Sequence, residues 1–310
     1  MSRVPESEAV ITAELVRGLL ADQHPDLAGL PLVAAAEGWD NVVFRLGHDF
    51  AVRMPRRELA AGLVRSELRF VGEIAARTGI ALPVPVRRGR PGRGYPWIWS
   101  VCRWTEGTPG LSVPGPARGG EKELAGFLGA LHAPAPPDAP KNPLRGLHVA
   151  ELEARVHERL GLVAHRPDHA ELAALWDALS DAPPYGGPAV WVHGDLHPGN
   201  ILFAPDGSLA GVIDFGDLCA GDPAVDLAVA WQLYAGPRRR KFVAAVEAAL
   251  PRDAATWRRA AAWALHFGLL SVAIEGNDPA FVANGEFTLR ELLAEFSGRL
   301  TGGSGAARSA

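Results

Sequence analysis

The sequence predicts an α+β fold of two lobes: a small N-terminal lobe with an antiparallel sheet and a helix, and a larger, mainly helical C-terminal lobe. Short β-rich segments separated by turns occupy residues 32–104, and segments with helical spacing of Leu, Ala and Trp fill most of the chain after residue 120. Between them, residues 105–120 are rich in Gly and Pro, which is typical of a lobe boundary. We therefore expect lobes at 1–104 and 105–300, followed by a flexible Gly/Ser-rich tail at 301–310.

Composition limits the classes of protein to which the chain can belong. The 310 residues are 48% hydrophobic and 21% charged, which is enough for a sizeable core. A net charge of −4 gives no indication of a nucleic-acid partner, and no apolar run is long enough to suggest a membrane span. The N-terminus lacks the apolar core of a signal peptide, and Cys102 and Cys219 lie in apolar surroundings typical of buried thiols. These features favour a cytoplasmic protein.

The small lobe is predicted to begin with an amphipathic helix at residues 6–24, which would turn Val10, Leu15, Leu19 and Leu20 inward. Three β-rich segments follow in the order strand, loop, strand, turn, strand, at 32–36, 42–46 and 50–54. A second helix at 57–77 places an apolar stripe on one face: Leu59, Leu63, Phe70, Val71 and Ile74. Glu67 falls within this stripe, where a charge is costly unless it is paired.

Further strands and helices are predicted along the rest of the chain. Two strands, at 82–87 and 97–104, complete the small sheet. The spacing of Leu and Val then indicates three helices, near 121–132, 148–164 and 168–181. Two pairs of short strands are expected within 190–217, and the final helices are predicted near 223–234, 238–249, 254–275 and 285–300.

The strongest chemical signal is the segment Val192–Phe203 followed by Val212–Asp217. It places Asp195, Asn200 and Asp214 at fixed spacing between apolar runs, and the intervening Asp-Gly pair at 206–207 predicts a hairpin that brings the last two together. Such a set suits phosphoryl transfer, in which one carboxylate orients a hydroxyl nucleophile while an amide and a second carboxylate hold Mg²⁺ against phosphates. We therefore predict Asp195 as the catalytic base and Asn200 and Asp214 as metal ligands.

These residues resemble the kinase pattern of a catalytic Asp, an Asn five residues later and a subsequent Asp-Phe-Gly. The His-Gly-Asp at 193–195, in place of His-Arg-Asp, resembles the aminoglycoside phosphotransferase family of small-molecule kinases. The likeness extends over roughly residues 30 to 295. It implies a bilobal protein-kinase-like fold that uses ATP or GTP with Mg²⁺. It also implies a small-molecule hydroxyl acceptor, such as an aminoglycoside or another antibiotic, and a cytoplasmic monomer or homodimer.

Four further residues are predicted to support the motif. His193 is interpreted as a brace for the loop, and Asp226 as the family's aspartate that braces the backbone of the catalytic loop. His197 stands where many kinases carry a Lys near the transferred phosphate, so it either contacts that phosphate or serves only the loop. Asp217 is expected either to contact the metal ligands without binding the ion itself, or to lie on the surface.

The nucleotide is expected against the small lobe. In the kinase pattern the strand here at 50–53 carries a Lys that pairs with phosphates and with a helix Glu, whereas this chain has Arg53, with Glu67 as its expected partner. Arginine keeps the charge and adds a bidentate fork, but its geometry differs from that of lysine. Backbone groups from Val101 to Arg103 are predicted to meet the purine edge.

Two other functions are compatible with the same residues. A non-catalytic nucleotide-binding module with a kinase-like fold is supported by Arg53 alone and opposed by the intact set of three polar residues. A metal-dependent hydrolase would use His193, Asp195 and His197. A zinc site requires further ligands, however, and the sequence shows no obvious third His or Cys motif beside these residues. Turnover of nucleotide with and without Mg²⁺, together with metal analysis, would separate these functions.

The acceptor is predicted to bind between the Asp195 loop and the C-terminal helices. Acidic residues are frequent there, and most are expected on solvated helix faces. Glu275 and Asp278 follow a long apolar run at a helix end, which is a better position for lining a cleft. A cationic or amino-bearing hydroxyl acceptor is therefore expected near these two carboxylates.

Overall fold

The small lobe is built on a five-stranded sheet. The computed structural model describes residues 6–300, so the predicted flexible tail at 301–310 lies outside the described residues. The sheet is antiparallel throughout, with the strand order β1-β2-β3-β5-β4. The strands are β1 (Leu32–Glu37), β2 (Asn41–Leu46), β3 (Phe50–Pro55), β4 (Pro85–Gly89) and β5 (Trp99–Arg103). The predicted antiparallel sheet is therefore confirmed, and β3 lies at its centre.

A short helix, α1 (Ala13–Gln23), packs Val16, Leu19 and Leu20 against the sheet. It begins after Thr12, whose Oγ1 accepts a hydrogen bond from the backbone N–H of Leu15 at 3.1 Å. The predicted start at residue 6 is therefore wrong. Val10, which was expected to face inward, precedes the helix and is 85% exposed.

The second helix, α2 (Glu58–Thr78), matches the prediction and buries Glu67 within its apolar stripe. Leu59 lies in the first turn and is 77% exposed, so its predicted inward position is wrong. Farther along, Phe70, Val71 and Ile74 join the hydrophobic core of the large lobe. This helix thus connects the sheet that carries Arg53 to the helical lobe.

The large lobe is mainly helical and surrounds one hydrophobic core. Its helices are α3 (Glu121–Leu131), α4 (Glu153–Leu162), α5 (His169–Ser180), α6 (Ala224–Leu227), α7 (Val229–Leu233), α8 (Gly236–Ala249), α9 (Ala254–Ala273) and α10 (Pro279–Leu300). The helix predicted at 285–300 starts six residues earlier, because Asp278 Oδ1 accepts a hydrogen bond from the N–H of Ala280 at 2.7 Å. None of the described helices is long and apolar enough to cross a membrane.

Two small sheets hold the motif segments. In one, β7 (Val190–Val192) pairs with β10 (Cys219–Gly221); in the other, the order is β6 (Thr108–Pro109), β8 (Ile201–Phe203) and β9 (Leu209–Val212). The predicted hairpin is present, with Ile201 opposite Val212 and a turn at 204–208. The loop after β7 and the turn after β9 therefore lie side by side.

Candidate active site

Asp195 lies in the loop between β7 and β8. The preceding residue, Gly194, has φ +83°, and a Cβ added there would lie 2.6 Å from the carbonyl oxygen of Asp217. Glycine is therefore required by both the left-handed conformation and the close backbone approach. This gives the His-Gly-Asp motif a physical reason in this chain.

Asp226 holds the same loop through hydrogen bonds to its backbone. Its carboxylate is fully buried on α6 and accepts hydrogen bonds from the backbone N–H groups of His193 at 2.8 Å and Gly194 at 2.9 Å. His132 Nε2 lies 3.1 Å from the same carboxylate, and Arg252 approaches the other ring nitrogen of His132 at 3.0 Å. A buried carboxylate with three partners is well satisfied and holds the loop rigidly.

His193 connects the two motif turns. Its buried ring places Nε2 3.0 Å from the carbonyl oxygen of Ile213, and Nδ1 accepts a hydrogen bond from the backbone N–H of Asp195 at 3.3 Å. Both ring nitrogens therefore face backbone groups. Within residues 6–300, no group of three or more His, Cys, Asp and Glu residues could hold a metal ion. With both ring nitrogens engaged by backbone groups, His193 is poorly placed to bind a metal, which argues against the hydrolase alternative.

Two hydrogen bonds join Asn200 to the turn before Asp214 and to the loop of Asp195. The N–H of Ile213 donates to the carbonyl oxygen of Asn200 at 2.9 Å, and Asn200 Nδ2 donates to the carbonyl oxygen of Asp195 at 2.9 Å. Asp214 adopts φ +64° and ψ +69°, which is a left-handed conformation uncommon for a residue with a side chain. Backbone strain of this kind concentrates at functional sites.

The donor atoms at this position suit Mg²⁺. The Asp214 side chain is about half exposed, and the Nδ2 of Asn200 is engaged within the loop, which leaves its Oδ1 as the atom available to a ligand. A carboxylate and an amide oxygen are hard donors of the kind that Mg²⁺ takes together with phosphate and water oxygens. The two side chains therefore fit the implied ion.

Arg53 contacts two carboxylates at once. Its Nη1 lies 3.0 Å from Glu67 Oε1, as predicted, and its Nη2 donates to Asp214 Oδ1 at 2.9 Å. The contact with Glu67 is a close ion pair without hydrogen-bond alignment, since Oε1 has no hydrogen-bond partner. Burial and the neighbouring Asp214 raise the pKa of Glu67 to about 7, although Arg53 acts in the opposite direction. Two carboxylates thus compete for one cation.

Arg145 is a residue that sequence reasoning missed. It lies in the loop before α4 and donates to Asp195 Oδ1 from Nη2 at 3.0 Å and to Asp217 Oδ2 from Nε at 3.1 Å. Burial acts to raise the pKa of Asp195, but Arg145 and His197 more than offset it, so that pKa lies well below its usual value. Burial raises the pKa of Asp217, which also accepts a hydrogen bond from Asn142 at 2.8 Å. No local pattern in this Pro-rich loop marks Arg145.

His197 forms the edge of the site that faces the C-terminal helices. Its Nδ1 accepts a hydrogen bond from the N–H of Gly199 at 3.0 Å, and its Nε2 lies 3.5 Å from Asp195 Oδ2. The ring packs edge-on against Phe281, in the first turn of α10, with centroids 5.1 Å apart. The start of α10 therefore lies beside the catalytic loop.

The structure places the predicted purine contacts inside the sheet. Val101 faces Val52 on one side and Arg87 on the other, and the N–H of Arg103 donates to the carbonyl oxygen of Val84 at 2.9 Å. Val101 and the N–H of Arg103 are therefore used within the sheet, and a purine contact at this segment stays a prediction. The segment immediately after β5 contains buried polar atoms without partners, namely Trp104 Nε1 and Thr105 Oγ1.

The predicted acceptor residues lie in the connection between α9 and α10. Glu275 and Asp278 are both exposed, and Asp278 accepts a hydrogen bond at the start of α10. The contact between this region and the catalytic loop is made one turn later, by Phe281. An acceptor-binding role for the two carboxylates stays a prediction.

A two-lobed α+β fold with an Asp, an Asn and a second Asp on adjoining turns defines the class of kinase-like phosphotransferases. A model of the phosphotransferase enzyme family matches residues 32–263, and the chain belongs to that family. A homoserine kinase from Caulobacter sp. (strain K31) is 32% identical over 232 residues, an alignment that covers 67% of this chain. The chain spans 65% of the length of that relative.

Solved structures share the fold. The GDP complex of a mutant aminoglycoside 2'-phosphotransferase-IIIa is 18% identical, with a TM-score of 0.64 over 93% of this chain and 100% of its own. A macrolide 2'-phosphotransferase from Brachybacterium faecium is 20% identical, with a TM-score of 0.56 over 89% of this chain and 97% of its own. These matches confirm the predicted protein-kinase-like fold.

Proposed function

We propose that the protein transfers the γ-phosphate of ATP or GTP to a hydroxyl group of a small molecule. The observation that carries the proposal is the set of hydrogen bonds joining Asp195, Asn200 and the turn of Asp214. Family membership supports phosphoryl transfer as the reaction class. Both nucleotides are candidates, because similar aminoglycoside phosphotransferases were solved with GDP and with ATP.

Asp195 would orient the acceptor hydroxyl and accept its proton. Arg145 and the hydrogen-bonded loop hold the carboxylate in one position, and its lowered pKa keeps it ionised at neutral pH. A weakly basic carboxylate suits a loose transition state, in which the hydroxyl keeps its proton until late and positioning contributes most of the catalysis.

Asn200 and Asp214 would hold Mg²⁺. When bound, the ion supplies positive charge to the β- and γ-phosphate oxygens. Arg53 already lies 2.9 Å from Asp214, so its guanidinium is within reach of a phosphate that approaches this carboxylate. Its fork can bind a phosphate oxygen and keep Glu67 as a partner. The purine would lie against the segment after β5, at Trp104 and Thr105, where buried polar atoms lack partners.

Three acceptor classes deserve comparison. The homoserine kinase relative indicates a hydroxy amino acid, and the solved structures with the same fold indicate aminoglycosides and macrolides. Exposed Glu275 and Asp278 would suit an amino group on any acceptor that reaches the start of α10. A non-catalytic module is less well supported, because the site keeps its complete set of polar residues in contact.

The test is Asp195→Asn with ATP, GTP and an acceptor panel drawn from these classes. Transfer should fall by about a hundredfold to ten-thousandfold, the range for losing a positioned acid–base group. Affinity for Mg-nucleotide, measured by calorimetry, should change little, since Asp195 faces the acceptor. Asp206→Asn, in the exposed hairpin turn, is the matched control and should behave like wild type. Full transfer by Asp195→Asn would refute the assignment.

A further inference from the structure

Three arginines lie on the helical side of the site, where α4 also carries Glu153 and Glu158. Arg155 and Arg159 lie four residues apart on α4, and Arg145 lies in the loop that precedes it. Arg145 is paired with two aspartates. Among the described residues, neither Arg155 nor Arg159 forms an ion pair with a carboxylate. Like charges four residues apart on a helix repel each other, so the arrangement costs stability.

Arg159 is partly buried without a charged partner. Its Nη1 lies 2.9 Å and 3.2 Å from the two ring nitrogens of His266, a buried residue on α9. Burial together with the charges of Arg159, Arg145 and Arg155 lowers the pKa of His266 well below its usual value, so the imidazole is neutral. Burial also lowers the pKa of Arg159. Glu158 acts in the opposite direction, and Arg155 and Arg145 add to the lowering. A guanidinium that faces a neutral ring retains unused hydrogen-bond donors.

This cluster is connected to Asp195 through Arg145. Arg145 touches the catalytic carboxylate at 3.0 Å, and its guanidinium carbon lies 5.5 Å from the ring centroid of Phe267. Phe267 is next to His266 in the chain, and their rings are in edge contact. The metal ligand Asp214 is instead attached to Arg53 and the small lobe. Contacts therefore run from Asp195 through Arg145 and Phe267 to His266 and Arg159.

We propose that the acceptor is a small hydroxy acid whose carboxylate is bound by Arg159, with Arg155 adding positive charge, while its hydroxyl points to Asp195. The proposal rests on the proposed phosphotransferase function and specifies its substrate class. A carboxylate would supply the partner that Arg159 lacks and offset the repulsion among the arginines. It also explains why an unfavourable charge cluster is kept beside the catalytic loop, since sites for ligands are often unstable without them.

The test compares homoserine and 4-hydroxybutanoate, each with its carboxamide, as acceptors for wild type and Arg159→Gln. Wild type should prefer the acids, and Arg159→Gln should raise the KM for an acid by roughly tenfold to a hundredfold, as expected for a lost charge-assisted hydrogen bond. The carboxamides should be nearly insensitive to the substitution. Arg159→Lys should recover part of the preference, and Arg240→Gln, an exposed arginine on α8, is the charge-matched control.

Two measurements separate failure of this proposal from failure of the phosphotransferase function. Calorimetry with each acid, without nucleotide, measures binding independently of transfer, and melting curves check folding. Arg159→Gln should melt close to wild type, because removal of a repelled charge offsets the lost contact with His266. If wild type transfers no phosphate to any acceptor, the proposed function fails, and binding of an acid that is lost in Arg159→Gln still supports the carboxylate site. Three results would overturn the carboxylate site: equal binding of an acid by wild type and Arg159→Gln, no binding of an acid by wild type, or transfer of phosphate to uncharged acceptors alone.

Discussion

Arg53 contacts two carboxylates with one guanidinium, and this sharing is a central electrostatic feature of the junction between the two lobes. Its two terminal nitrogens lie 3.0 Å from Glu67 and 2.9 Å from Asp214. A lysine would present one ammonium to the same pair, whereas the planar fork reaches both. Because Glu67 is buried, and because Asp214 lies close to the same cation, Glu67 holds a proton at a higher pH than an ordinary glutamate.

The first prediction concerns the proton on Glu67. Its pKa is raised from 4.5 to about 7 in the folded protein. The folded state therefore binds a proton more tightly than the unfolded state, so this contribution to stability is complete below about pH 4.5 and is lost as the pH rises through about 7. Urea unfolding of the nucleotide-free protein is measured from pH 5 to 8. Over this range the free energy of unfolding of wild type should fall by up to about 3 kcal/mol relative to that of Glu67→Gln.

The control for this prediction is Glu73→Gln, which removes an exposed carboxylate from the same helix. It should follow wild type at every pH, since an exposed side chain changes little on folding. Parallel pH profiles for wild type and Glu67→Gln would show that the buried carboxylate is ionised throughout.

At the scale of elements, the catalytic loop is held by a helix that is distant in sequence. Asp226, on the four-residue helix α6, binds consecutive N–H groups of the loop with its two carboxylate oxygens. The loop thus keeps Gly194 in its left-handed conformation and Asp195 in place. The charge on Asp226 is buried and satisfied by hydrogen bonds, with His132 as its third partner.

The second prediction is that Asp226→Asn destabilises the protein and slows phosphoryl transfer together. An amide has only one acceptor oxygen, so its NH₂ group would face a backbone N–H and leave a buried donor unsatisfied, at a cost of about 1–3 kcal/mol. The melting temperature and kcat should both fall. Asp206→Asn, in the exposed turn of the β8–β9 hairpin, should change neither. A variant with normal stability and kcat would mean that the loop does not depend on this brace.

At the scale of the whole molecule, one ion pair joins the sheet of the small lobe to the turn of the large lobe that carries Asp214. Arg53 comes from β3, and Asp214 follows β9. The helix α2 adds a second connection, because it carries Glu67 on the sheet side and contributes Phe70, Val71 and Ile74 to the large core. Ligands at this junction should therefore stabilise both lobes.

The third prediction is that Mg-nucleotide raises the melting temperature of wild type but not that of Asp214→Asn. Ligand at a hundred times its Kd should stabilise wild type by about 2.7 kcal/mol. Asp214→Asn removes the charged metal ligand and should lose most of this gain. Because the substitution also removes the ion pair with Arg53, the shift of each protein is measured against its own nucleotide-free form. Nucleotide with a chelator is the control for metal dependence. Equal stabilisation of both proteins would exclude Asp214 as a ligand of the ion.

The sequence by itself determined the fold class, the antiparallel sheet, most helices and the proximity of three motif residues. These follow from local causes: alternation of apolar residues gives strands, helical spacing gives helices, and an Asp-Gly turn closes the hairpin that aligns Asn200 with Asp214. The pairing of Arg53 with Glu67 was also predictable, because a charge within an apolar stripe requires a partner.

Tertiary structure alone decided which distant groups complete the site. Arg145 reaches Asp195 from a loop 50 residues away, and Arg159 faces His266 across 107 residues of chain. Contacts between such distant residues leave no periodic pattern in the sequence. Only the packing of helices and loops brings these residues together. The start of α1 and the exposed positions of Val10 and Leu59 were also unpredictable from spacing, because a helix end is set by capping and by where the core stops.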